Sequence, residues 1–190
     1  MIGSSSNTEI YGKTGSETYQ LLQNISESSY GTTKAIFVSS DEKYLIRGFS
    51  NGKVVIYMKQ SIYQFFQEIH DSVLAIDSAS VTGDLKRLAA GGDDNQVRIY
   101  EEQNGQFQFS QTIVAGFPVY FIKLTKDNLL MSGSSSQLLF YKNDGQQYEL
   151  DEIVNTGGSL FKRVPISDDF QTLAFGVNLV LKIYEKKSNY

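Results

Sequence analysis

An apolar pair, a Gly-centred turn and a short apolar run that closes on tyrosine recur five times along the chain, over residues 2–11, 45–57, 88–100, 130–141 and 173–184. The closing tyrosines, Tyr11, Tyr57, Tyr100, Tyr141 and Tyr184, stand 46, 43, 41 and 43 residues apart. A single wound core has no reason to repeat at such an interval. A period of ~40–45 residues is that of small sheets fanned around an axis, the β-propeller. One four-stranded sheet has two faces and cannot hide both alone, whereas sheets stacked around an axis cover one another. The repeat therefore places these tyrosines in the layers between blades, where burying one ring contributes roughly 1.5–3 kcal/mol.

Within each period four strand-like runs recur, bounded by turn residues. The second full period shows them at 73–79, 85–91, 96–101 and 107–113, separated by Thr82-Gly83-Asp84, Asp93-Asp94-Asn95 and Gln103-Asn104-Gly105. Hairpin signals elsewhere include Ser50-Asn51-Gly52 and Asn143-Asp144-Gly145. No stretch keeps helical periodicity, so the expected fold is all-β, one propeller of about four four-stranded antiparallel blades over residues 1–190. Its partial first blade lies at 1–25 and later blades at about 33–69, 73–113, 118–153 and 159–185. The chain opens within what aligns as the end of a second strand and closes on a group of three. A segment of a larger ring, or a ring completed by a partner or a second copy, accommodates that count better than a closed four-blade ring. Open ends would otherwise leave bare edges and uncovered faces.

Composition narrows the function classes. The hydrophobic share of 41% supports a substantial core. Cys is absent, which removes disulfides, thiolate metal sites and thiol catalysis. A net charge of −4, with basic residues scattered and Lys186-Lys187 too short to form a patch, argues against nucleic acid. The first thirty residues carry no leader-like pattern and no apolar run reaches the ~18–20 residues that span a bilayer. The expected address is the cytosol or a cytoskeletal structure, with no membrane partner.

The stretch from His70 to Glu101 resembles the WD-repeat β-propeller family, whose units run from a Gly-His pair through a Ser-Gly turn and an Asp to a Trp-Asp end. Here Ile69-His70-Asp71-Ser72 leads to Ala90-Gly91-Gly92-Asp93-Asp94 and then Ile99-Tyr100-Glu101. His70 matches the family His, Asp94 the turn Asp and Tyr100 the Trp. The resemblance implies a structural role for His70, Asp94 and Tyr100, with His70 bridging its loop to Asp94 and the tyrosine. Tyr57, Tyr141 and Tyr184 take the Trp position in other repeats. Departures are plain: every Trp is Tyr, and the closing Asp becomes Gly12, Met58, Glu101, Lys142 or Glu185. Most of the family's internal hydrogen-bond network is thus absent, and packing must carry stability.

Patterns that imitate chemistry fail on inspection. His70-Asp71 has no nucleophile beside it. Gly12-Lys13-Thr14 imitates the end of a phosphate loop, yet Asn7 stands where its first glycine belongs and no helix follows. Asp93-Asp94-Asn95 lacks the alternating ligands and closing Glu of a calcium loop. No catalytic residue, cofactor or metal is expected.

What remains is surface. The family's partners dock on the face formed by the loops entering each blade's first strand, and the matching positions here include Tyr30, Asp71, Phe117, Tyr120, Phe161 and Arg163. Phe117 and Phe161 stand where a polar residue is usual; they are either interface anchors or rings turned inward. The sequence thus points to a non-catalytic scaffold holding other proteins in a multi-subunit assembly. The alternative is an enzyme or small-ligand propeller whose axial channel offers Lys34, Asp77, Lys123, Lys162 and Arg163.

Overall fold

The computed structural model describes residues 2–4, 7–14, 18–39, 41–125, 129–157, 172–177 and 180–185. They form seventeen strands, and the helical content among them is a single 3-10 turn at Ser28–Tyr30. Three complete four-stranded antiparallel sheets fill the middle of the chain. The first comprises β4 (Thr33–Val38), β5 (Tyr44–Phe49), β6 (Val54–Lys59) and β7 (Tyr63–Ile69). The second comprises β8 (Ile76–Val81), β9 (Arg87–Gly92), β10 (Gln96–Gln103) and β11 (Gln106–Val114). The third comprises β12 (Phe121–Leu124), β13 (Leu129–Gly133), β14 (Gln137–Asn143) and β15 (Tyr148–Asn155). They are preceded by a three-stranded sheet, β1 (Ile2–Ser4), β2 (Asn7–Thr14) and β3 (Thr18–Ser26), and followed by a pair, β16 (Thr172–Val177) and β17 (Val180–Glu185). Every sheet runs in chain order, each strand beside the next, as meandering blades do. The first strand expected in the last blade lies outside the described residues.

Strand character follows position in the blade. All six residues of β5 are buried, because a middle strand has a neighbouring sheet on both faces. The outer strand β11 shows only Phe107 and Ile113 buried. The turns between the first and second strands repeat one chemistry. Ser39 donates to Asp41 at 2.7 Å and Thr82 to Asp84 at 2.6 Å, and each carboxylate accepts the N–H two residues on, from Lys43 and Lys86, both at 3.0 Å. Such local bonds satisfy the backbone where the ladder stops.

Three apolar layers join the sheets among the described residues. Ile10 and Ile25 pack on Leu45, Val55, Tyr57 and Tyr63. The opposite face of that blade, with Ile46, Ile56 and Ile69, packs on Leu88, Tyr100 and Phe107. Val97, Ile99 and Ile113 then meet Leu130, Leu139, Tyr141 and Tyr148. Tyr57, Tyr100 and Tyr141 accordingly lie in the layers, 2–3% exposed. Each turns its ring toward the preceding sheet. Tyr11 differs, at 38% exposure, because no described sheet precedes its own. The side chain of Tyr184 lies outside the described residues; its backbone pairs with Leu173.

A β-bulge stands immediately before each of these four tyrosines, between Ile10 and Tyr11, Ile56 and Tyr57, Ile99 and Tyr100, and Phe140 and Tyr141. A bulge inserts one residue on one strand and re-aims the side chains around it. Opposite the tyrosines stand Leu21, Phe65, Phe109 and Leu150, each a little over half exposed on the outer rim.

Candidate functional site

The loops that enter each blade gather with the turns between second and third strands on one rim. Thr32 and Ser50 exchange hydrogen bonds across it, Val119 N–H donates to the Gly92 carbonyl at 2.9 Å, and Ala115 N–H to the Asn95 carbonyl at 2.9 Å. Backbone approaches here are close. A Cβ on Gly52 would lie 2.0 Å from the Ser72 carbonyl oxygen, and one on Gly92 would lie 1.9 Å from that of Ala75. Only glycine leaves room at either position.

The residues proposed from sequence as a His70, Asp94 and Tyr100 bridge are arranged differently. Ser72, not His70, occupies the bridging position: its hydroxyl donates to the Asp94 carboxylate at 2.9 Å, while Arg98 pairs with the same oxygen at 2.6 Å. His70 is exposed, beside Glu68. Tyr100 is served by Asp71 instead; burial first, then the Asp71 charge, pushes its phenol well above the ordinary range. Ser72 is buried against the Asp94 turn, whereas His70, the residue after β7, is exposed.

The preceding blade builds a parallel arrangement. The Tyr57 hydroxyl donates to Glu27, and the fully buried Arg47 reaches the Tyr57 hydroxyl at 3.2 Å and the Thr33 hydroxyl at 2.8 Å. Its guanidinium lies 4.7 Å from the Phe49 ring centroid. Burial, reinforced by Glu27, holds the Tyr57 phenol protonated far beyond its ordinary range. In the third blade no acid among the described residues acts on Tyr141, whose phenol is raised by burial and partly eased by Ser132. An acid from the entering loop thus caps the seam tyrosine in two blades.

Of the partner-binding positions read from sequence, Asp71 is exposed on this rim, and Tyr30, Phe117 and Tyr120 are half-buried beside it. Tyr30 packs on Phe49 at 5.3 Å between centroids, and the Lys53 ammonium sits 5.1 Å from its ring centre. Phe117 packs against the layer between the second and third blades. Phe161 and Arg163 lie outside the described residues.

Three rim residues escaped the sequence reading: Val73, Leu74 and Val114, which are 88%, 46% and 76% exposed. Residues 73–79 read as a strand, but β8 begins only at Ile76, which leaves Val73 and Leu74 on the loop. The available signal was two apolar residues directly after the polar triplet His70-Asp71-Ser72.

On the axial side, Lys34, Ile36, Asp77, Ser78, Tyr120 and Phe121 line a polar groove of about 340 Å³. Lys34 and Asp77 belong to the channel residues named from sequence; Lys162 and Arg163 lie outside the described residues. Among the described residues no group of three or more His, Asp or Glu side chains converges as a metal site.

Side-chain hydrogen bonds stitch the blades at both radii. On the inner strands, Ser78 and Ser80 hydroxyls accept the N–H groups of Ile122 and Leu124 at 2.8 and 3.0 Å. On the outer strands one glutamine per blade clasps the next. Gln23 spans the N–H and C=O of Tyr63 at 2.8 and 2.7 Å, Gln67 those of Phe107 at 2.9 and 2.7 Å, and Gln111 those of Tyr148 at 2.8 and 2.9 Å.

No family model matches this sequence, and no curated protein matches it. Among solved structures, a chain of the mitotic checkpoint complex is similar, with a TM-score of 0.73 and 16% identity over 89% of this chain. The match covers 55% of that chain, so this sequence spans about half of its length. At this identity the likeness carries the architecture alone. Seventeen meandering strands, three apolar inter-sheet layers and this likeness establish the fold as a β-propeller segment of about four blades.

Proposed function

We propose that this chain is a non-catalytic, WD-repeat-like scaffold that gathers other proteins through its loop rim. The observation that carries the reading is the exposure of Val73 and Leu74 on a loop held rigidly in place. Ser72 ties that loop to Asp94, and its backbone presses on Gly52. An apolar pair of this kind on a fixed loop, flanked by the Asp71 carboxylate, has the make-up of an interface centre with a polar rim. Val114 is exposed as well, and Tyr30, Phe117 and Tyr120 are half-buried residues of the entering loops. The architectural neighbour comes from a multi-protein complex, which supports protein partners in general. A cytosolic or cytoskeletal setting fits this reading.

The test is a Val73→Ser/Leu74→Ser double variant, used to recover companions from native extract beside the unaltered chain. The expected result is loss of the specific companions with an unchanged melting curve. Recovery of the same companions in the same amounts overturns the rim assignment.

A second reading places a small polar ligand in the axial groove, on the strength of Lys34 and Asp77 facing one space of about 340 Å³. Thermal shift against small anions and polyols, with and without Lys34→Ala, separates the two.

A further inference from the structure

A cavity of about 360 Å³ opens between the β1–β3 sheet and the first complete blade. Ile10 and Leu22 line it from one side, and Val38, Ile62 and Tyr63 from the other. Its mouth lies at the turns that hold Glu42 and Ser61-Ile62, on the rim opposite the loops that enter the blades.

The seam one blade further on shows why space is left here. Gly12 follows Tyr11 where Met58 follows Tyr57, and Leu22 and Phe66 are the unpaired residues of the two matching bulges. Glu42 and Leu85 share a left-handed backbone, with φ of 57° and 61°, in the matching turns after Ser39 and Thr82. At the second seam Met58, Phe66 and Leu85 pack against the apolar layer. At the first seam glycine, a shorter aliphatic chain and a carboxylate stand in their places, and the volume those three side chains occupy stays open. The walls are nonetheless fixed, because Gln23 holds the main chain of Tyr63 and the Tyr63 hydroxyl donates to the Glu42 carbonyl at 2.7 Å. A preformed cavity with apolar walls, near the lower end of the ~300–1,000 Å³ range of ligand pockets, loses little order when it is filled.

The charge at the mouth is uneven. Lys13, Lys59 and Glu42 line it, and Lys59 is already paired with Glu42 at 2.7 Å. Among the described residues no acid pairs with Lys13, so one cation stands uncompensated beside the apolar walls. We propose that this cavity binds a small monocarboxylic acid with an apolar, ring-sized body, its carboxylate on the Lys13 ammonium and its body between Ile10, Leu22 and Val38. A cation would meet two ammonium groups and a carboxylate that is already engaged. A phosphate would need several donors where one ammonium is free. The rings of Tyr11, Tyr19 and Tyr63 at the walls favour an aromatic body. The residues that join β2 to β3 are Gly15, Ser16 and Glu17, none of which carries an apolar side chain suited to those walls. This site stands apart from Val73 and Leu74 and does not depend on the scaffold reading.

The test is titration of the isotope-labelled chain with 4-phenylbutyrate, followed by amide shifts, beside the alcohol and the amine of the same skeleton. Saturable shifts centred on Gly12, Leu22, Val38 and Ile62 are expected, with the alcohol and the amine binding at least about tenfold more weakly. Lys13→Gln is expected to weaken the acid by about the same factor and to leave the alcohol unchanged. Gly12→Met/Glu42→Leu, which imports the filling of the second seam, is expected to abolish binding of all three probes without lowering the melting temperature of the free chain. Absence of saturable binding, shifts scattered over the surface, an alcohol that binds as tightly as the acid, or a filled variant that still binds overturns the proposal.

Discussion

Replacing Gln67 by alanine removes both hydrogen bonds that tie the first complete blade to the second at the outer radius, 2.7 Å to the Phe107 carbonyl and 2.9 Å from its N–H. Each such bond contributes about 0.5–1.5 kcal/mol net, and a covered backbone group left without a partner costs about 1–3 kcal/mol. The Phe107 side chain is 3% exposed, so water reaches its main chain poorly and the loss falls at about 2–3 kcal/mol. For a chain of this size that lowers the melting temperature by about 5–10 °C. Gln67→Glu is a sharper probe. It retains an acceptor for the N–H but sets a carboxylate oxygen against the Phe107 carbonyl, so it costs at least as much as alanine. Gln64, exposed on the same strand, is the control, and Gln64→Ala stays within about 0.5 kcal/mol of the parent. Calorimetry, with amide exchange at Phe107, reads all three. A Gln67→Ala protein that melts within about 1 °C of the parent, or a Gln64→Ala protein that loses as much, refutes the clasp as an inter-blade tie.

Gly92→Ala forces a Cβ to within 1.9 Å of the Ala75 carbonyl and is expected to cost at least ~1–3 kcal/mol, seen as a lower denaturant midpoint. Asp94→Ala leaves the nearly buried Arg98 without its 2.6 Å partner and is expected to cost about 3–5 kcal/mol, whereas His70→Ala stays within about 0.5 kcal/mol. Phe117→Ser is expected to destabilise by roughly 2–4 kcal/mol, because the ring packs on the layer between blades. The Tyr57 and Tyr100 phenols are raised in the fold, so the unfolded chain loses these protons first. Their contribution is complete below about pH 10 and is lost as the pH rises beyond it. Tyr57→Phe therefore lowers stability below about pH 10 and flattens its decline above that pH, followed by circular dichroism; an unchanged pH dependence contradicts the linkage.

The period of the chain was legible because each blade must bury the same two faces, and apolar residues recur wherever a layer recurs. The positions of Tyr57, Tyr100 and Tyr141 followed from that alone. Tyr11 carries the same local pattern but is partly exposed, since burial depends on a neighbouring sheet that no local pattern encodes. The bulge before each tyrosine left no signal in residue type, because it is a property of two strands in register rather than of one. The clasps were present as Gln23, Gln67 and Gln111 but disappear among fourteen glutamines, most of them in polar turns or on exposed strand faces. His70 drew attention as the single histidine, yet the short hydroxyl of Ser72 fits against the Asp94 turn and does the bridging. Val73 and Leu74 read as strand because they are apolar, although the strand begins only after the loop has crossed Gly52 and Gly92.

The clasps also bear on how the outer strands behave toward other molecules. A sheet's last strand ordinarily presents a row of free peptide groups on which another chain can grow by main-chain pairing. A carboxamide is the same chemical unit as a peptide group, so when Gln23, Gln67 and Gln111 settle on Tyr63, Phe107 and Tyr148 they fill the first rung of that row with a unit that cannot propagate. One side chain at each of these three strands thereby closes the rung on which such pairing would begin.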